Sequence, residues 1–80
     1  MNIDIARHIA RAALRSSRDL AELIPCLKAY LSADEHAAYS KAIGSAVAAI
    51  QLDVMNKVLA DNPGLESEIE ASIAKYGRYL

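Results

Sequence analysis

Residues 3–31 read IDIARHIARAALRSSRDLAELIPCLKAYL, and their spacing decides the fold. Ile3, Ala6, Ala10, Ala13, Ser17, Leu20, Ile24, Leu27 and Leu31 follow one another in alternating steps of three and four, and eight of the nine are apolar. That is a helical seam held in phase over four heptads. Ile5, Ile9 and Leu23 widen the stripe. Two features oppose a straight rod. Pro25 lacks the N–H that would bond the Ala21 carbonyl, and its ring crowds that turn. Ser16 or Ser17 could cap a fresh helix, with Asp19 as a poor substitute for the acid of a capping box. The unbroken phase favours one helix over 3–31, kinked near Pro25, because a loop would have to restore the seam by accident.

Outward from this stretch, Ser32-Ala33-Asp34-Glu35 starts the next helix. Ser32 is the N-cap, Glu35 lies three residues later as a capping box requires, and both acids suit the positive end of the helix dipole. The helix is expected over 33–60, with a main apolar row of Tyr39, Ile43, Val47, Ile50, Val54 and Val58. A second row, Leu52, Met55 and Leu59, lies to one side, and a flank of small residues, Ala38, Ala42, Ser45 and Ala49, would let another backbone come close. Asp61-Asn62-Pro63-Gly64 ends it, with Asn62 as the next N-cap and Pro63 as the first helical position. Leu65, Ile69, Ile73 and Tyr76 mark a short helix over 63–76, closed by Gly77.

The expectation is therefore a single all-α domain over 1–80: a long helical hairpin plus a short C-terminal helix. Composition agrees, with 54% hydrophobic residues, sixteen alanines, three glycines and two prolines. A helix of about 28 residues is about 42 Å long, more than the roughly 30 Å breadth of a compact chain of this size. The short last helix covers about half of such a hairpin. Pairing two hairpins into a helical-bundle dimer would bury the rest, with Ile43, Val47, Ile50 and Val54 in the shared core. Small domains otherwise rely on disulfides or metals. The single cysteine, Cys26, allows no disulfide within the chain and is expected to act as a small buried hydrophobe in a reducing compartment.

No catalytic, cofactor-binding or metal-ligating set stands out. His8 and His36 lack the Glu-x-x-His spacing of a di-iron bundle, and the former is expected to pair with Asp4 and the latter to be exposed. Cys26 has no adjacent base, and the glycines stand too far apart for a phosphate loop. Arg7, Arg11, Arg15 and Arg18 share one helical face and form a candidate interaction surface. Such a stripe could lie along phosphates. Asp4, Asp19 and Glu22 are spaced to pair with it, and no aromatics interleave, which favours a solvated or subunit-facing side over nucleic acid. Glu66, Glu68 and Glu70 suit the start of the last helix or, alternatively, a basic partner. The tail Tyr79-Leu80 could be a docking segment.

A net charge of −1 drives the chain to neither nucleic acid nor acidic membranes. No uninterrupted apolar run reaches a membrane span, and Met-Asn-Ile-Asp-Ile lacks the order of a signal peptide, so a cytoplasmic location is expected. The functional expectation is a non-enzymatic helical protein–protein interaction module or assembly subunit, acting as a homodimer with or without a further protein partner. The alternative is a nucleic-acid-associated regulator using the arginine stripe.

Overall fold

The computed structural model describes residues 2–80 and is all-α, with no strand among them. Helix α1 spans Ile3–Leu27, with the Asn2 side chain accepting from the Asp4 N–H at its start. It runs unbroken through Ser16 and Ser17, and Pro25 lies inside it. It ends four residues short of the expected Leu31, where the chain turns over Lys28–Ser32.

Helix α2 is one rod, Ala33–Asp61. Its cap is the reciprocal box expected at Ser32 and Glu35: the Glu35 N–H donates to Ser32 Oγ at 3.2 Å, and the Ser32 N–H donates to Glu35 Oε1 at 3.1 Å. These bonds hold the Glu35 carboxyl below its ordinary range, the backbone bond contributing most. The helical bonding changes at Ile50–Met55, which is π-helical, and returns to regular α over Asn56–Asp61. A π turn bonds i to i+5 and so absorbs an extra residue. Its effect is a change of seam. The inward residues are Ile43, Val47 and Ile50, then Met55 and Val58, with Val54 left at the surface. Met55 of the second row thus takes the inward place of Val54, while Val58 of the main row stays inward and Leu52 of the second row is exposed.

Helix α3 spans Leu65–Tyr76. Asn62 does not cap it, contrary to expectation. Its side-chain amide instead donates to the Val58 carbonyl at 3.2 Å, closing the end of α2, while Gly64 takes the cap position of α3. An amide carries donors as well as an acceptor, and the Val58 carbonyl, which also accepts from the Asn62 N–H at 2.9 Å, has a second lone pair for it. Gly77 ends α3 with φ of 76°, and its N–H donates to the Ile73 carbonyl at 2.8 Å.

The core lies at one end. Ala6, Ala10 and Ala13 of α1 meet Met55 and Val58 of α2 and Leu65 and Ile69 of α3. Alanines on α1 allow the other two helices to approach closely, and the larger side chains of α2 and α3 fill the space. Beyond the reach of α3 the molecule is a bare hairpin. There Ser17, Leu20, Ile24, Leu27 and Leu31 are half-buried against α2, whose one buried side chain in this half is Ile43. The molecule measures 45 × 25 × 15 Å, with a radius of gyration of 14.8 Å. A compact chain of this length would have about 12 Å.

Candidate functional site

The arginine stripe faces the chain's own C-terminal segment. Arg7 Nε donates to both carboxylate oxygens of Glu68 at 3.1 Å, its Nη2 lies 2.9 Å from Glu68 Oε1, and its Nη1 reaches Asp4 at 3.0 Å. Arg11 Nη2 donates to the Leu80 carbonyl at 3.0 Å, and its guanidinium stacks 4.9 Å from the centre of the Tyr79 ring. Arg18 Nη2 donates to the Gly77 carbonyl at 3.1 Å. Three of the four side chains therefore hold down the last helix and tail, where a solvated or subunit-facing side was expected.

Acid and arginine do meet as the complementary charges suggested, but within one chain. Glu68 accepts from Arg7 and also from the Tyr79 hydroxyl at 2.5 Å. These bonds, Arg7 first, hold the Glu68 carboxyl below its ordinary range, and the hydrogen bond to Glu68 raises the Arg7 guanidinium. Tyr79 is pushed up, first by burial and then by its bond to Glu68. The tail is fixed further by Ser72, whose hydroxyl donates to the Arg78 carbonyl at 2.9 Å and accepts from the Leu80 N–H at 3.0 Å. Tyr79 and Leu80 are thus folded back on the chain, where a free docking tail was one reading of the sequence. Glu66 and Glu70 stay exposed.

Among the described residues, Arg15 forms no ion pair with Asp19, Arg18 none with Glu22, and His8 none with Asp4. Those spacings permit a pair on a helix surface without requiring it, since such pairs contribute little. Arg11, Arg15 and Arg18 line a cleft of about 470 Å³ with Asp19, Arg78 and Tyr79. Arg78 was not legible as a member from its place in the chain, because only the turn at Gly77 brings it back to α1.

His36, expected to be exposed, is half-buried. Its Nε2 donates to the Ile24 carbonyl at 2.7 Å, supplying a partner to the unbonded end of α1 across the hairpin. Cys26, expected to be buried, is exposed, because the seam passes through Ile24 and Leu27 and leaves position 26 on the outer side. No group of three His, Cys, Asp or Glu side chains stands together as a metal site would need among the described residues.

Of the residues assigned to an oligomer core, Ile43 is already covered within the chain, Val47 and Ile50 are half-buried, and Val54 is 36% exposed. The exposed stripe on α2 is the small-residue row Ala38, Ala42, Ser45 and Ala49, continued by Leu52 at 64% exposure. By length and composition alone α2 could cross a membrane. The sequence itself contains no uninterrupted apolar run that reaches a membrane span. No family model, curated protein or solved structure matches the chain.

Proposed function

We propose that the chain is a non-enzymatic helical interaction module that works as a homodimer, two hairpins pairing through the outer stripe of α2. The observation that carries this reading is surface. The chain exposes 5565 Å². A compact monomer of 8.6 kDa exposes about 4,700 Å² by the size scaling of folded proteins. The excess, about 900 Å², is close to the roughly 800 Å² per partner of a standard protein interface. At the hairpin end Leu23, Tyr30 and Tyr39 are exposed. The small side chains of the α2 stripe suit close helix–helix approach. A reducing, cytoplasmic setting suits the exposed thiol of Cys26.

The nucleic-acid alternative has weaker support, because three of the four stripe arginines are engaged within the chain. Sedimentation equilibrium at about 10 μM, well above the dissociation constant of an ordinary stable dimer, tests the proposal. The expected mass is twice 8.6 kDa. Ala42→Glu with Ala49→Glu should give a monomer of unchanged helicity, since exposed helical Ala→Glu changes cost under about 0.5 kcal/mol each. A wild type that sediments as one 8.6 kDa species would overturn the proposal. So would a dimer indifferent to the paired change. Uptake of the monomer by lipid vesicles would transfer the α2 surface to a membrane.

A further inference from the structure

The cleft between α1 and the folded-back tail has a charge that the fold does not use. Four guanidinium groups line it, from Arg11, Arg15, Arg18 and Arg78, and Asp19 is the one side-chain acid among them. The lining therefore carries +3, or +2 with a carboxylate at Leu80. Arg11 and Arg18 each spend one N–H on an oxygen of the tail backbone, which leaves most of their donors free. Neither Arg15 nor Arg78 forms a side-chain hydrogen bond or ion pair among the described residues. Bringing like charges together has a cost, which a bound anion would offset.

We propose that this cleft binds a small polyphosphate: a diphosphate group, free or carried on a nucleotide. Three features set the ligand class. Arg11, Arg15 and Arg18 are spaced by four and three residues on one face of α1, a reach of about 10 Å at the helical rise, which suits linked phosphates better than a single one. Guanidinium groups grip phosphate oxygens with paired, charge-assisted hydrogen bonds. The volume of about 470 Å³ falls in the usual range for small-molecule sites, about 300–1,000 Å³. Arg78 closes the cleft from the tail, held there by the bonds of Ser72 to the Arg78 carbonyl and the Leu80 N–H. The site is independent of the dimer proposal, since it lies on α1 and the tail and not on the α2 stripe.

Calorimetry with sodium pyrophosphate, free of divalent cations, gives the test. The full chain should bind saturably at roughly 1:1 with a dissociation constant of about 100 μM, and the signals of Tyr79 should shift in parallel. Arg15→Gln with Arg78→Gln should weaken binding by at least about tenfold at an unchanged melting point, because neither side chain bonds elsewhere in the chain. Asp19→Asn should act in the opposite direction and tighten binding. ADP binding as well as pyrophosphate would assign a nucleotide, and pyrophosphate alone the free anion; both support the site. Absence of saturable binding up to about 5 mM, or binding that ignores both variants, would overturn it. Duplex DNA held more tightly than pyrophosphate and released by the paired change would replace the proposal with a nucleic-acid surface.

Discussion

The two ends of this molecule are built from the same pair of helices and differ in whether a third one is present. At the closed end, α3 lies across α1 and α2, and Ala6, Ala10, Met55, Val58 and Leu65 are almost fully removed from water. At the open end the α1 seam continues in phase through Leu20, Ile24, Leu27 and Leu31, yet those residues are only half-buried and Tyr30 is 84% exposed. Apolar character is no lower there. The difference shows that two helices side by side bury only the line of contact between them, and a third layer is needed to make a core. It also assigns tasks. Stability sits at the closed end, and the open end retains the apolar surface that a second copy could use.

Substitutions should separate the two ends. The largest effect is expected from Leu65→Ala, which removes a side chain 2% exposed and should lower unfolding free energy in urea by about 3 kcal/mol. The matching change at the open end, Leu23→Ala, should cost under about 0.5 kcal/mol in the monomer. Equal losses at the two sites would erase the distinction. Next comes Ser32→Ala, which breaks the capping box at the hairpin turn and should cost about 1 kcal/mol by the same measurement. The open end also contains a defect. Ser40 Oγ is buried without a hydrogen-bond partner among the described residues. Ser40→Ala should therefore stabilise the protein by about 0.5 kcal/mol, through a relieved polar group and better helix propensity.

The smallest effects should be electrostatic. Glu68 has a depressed pKa in the folded state, so its contribution is present above the ordinary carboxylate range and lost as pH falls through the depressed value. Tyr79 has a raised pKa, so its contribution holds below the ordinary tyrosine value and is lost as pH rises through the raised one. Melting temperature should then fall at both extremes. Glu68→Gln should reduce the slope on the acid side, and Tyr79→Phe the slope on the alkaline side. Hydrogen exchange should show the tail 77–80 loosening at both extremes; the hairpin turn, whose Glu35 carboxyl is also depressed, should loosen in acid and stay unchanged in alkali. A hairpin turn that loosened with the tail in alkali would mean that the two ends are coupled.

The sequence by itself determined the helices, because their signals are local. The in-phase seam kept Ser16 and Ser17 inside α1, the Ser32–Glu35 box fixed the start of α2, and Gly77 supplied the left-handed residue that ends α3. Each depends on residues within a turn or two of one another, and their chemistry reads directly along the chain. The sequence also placed four arginines on one face of α1, without indicating what that face would meet.

Only the tertiary structure decided the rest, because the choices involve groups far apart in sequence. The π turn at Ile50–Met55 brought Met55 inward and left Val54 out, since the helix must keep facing both α1 and α3. Asn62 closed α2 in place of starting α3, His36 reached Ile24 across the hairpin, and Cys26 fell on the outer side of the seam. Above all, Arg7 met Glu68 and Arg11 met Tyr79 because α3 and the tail return over α1. A charge on a helix surface has many spatially reachable partners. Helix periodicity states the direction in which it points, and only the packing of the distant segment selects the group it meets.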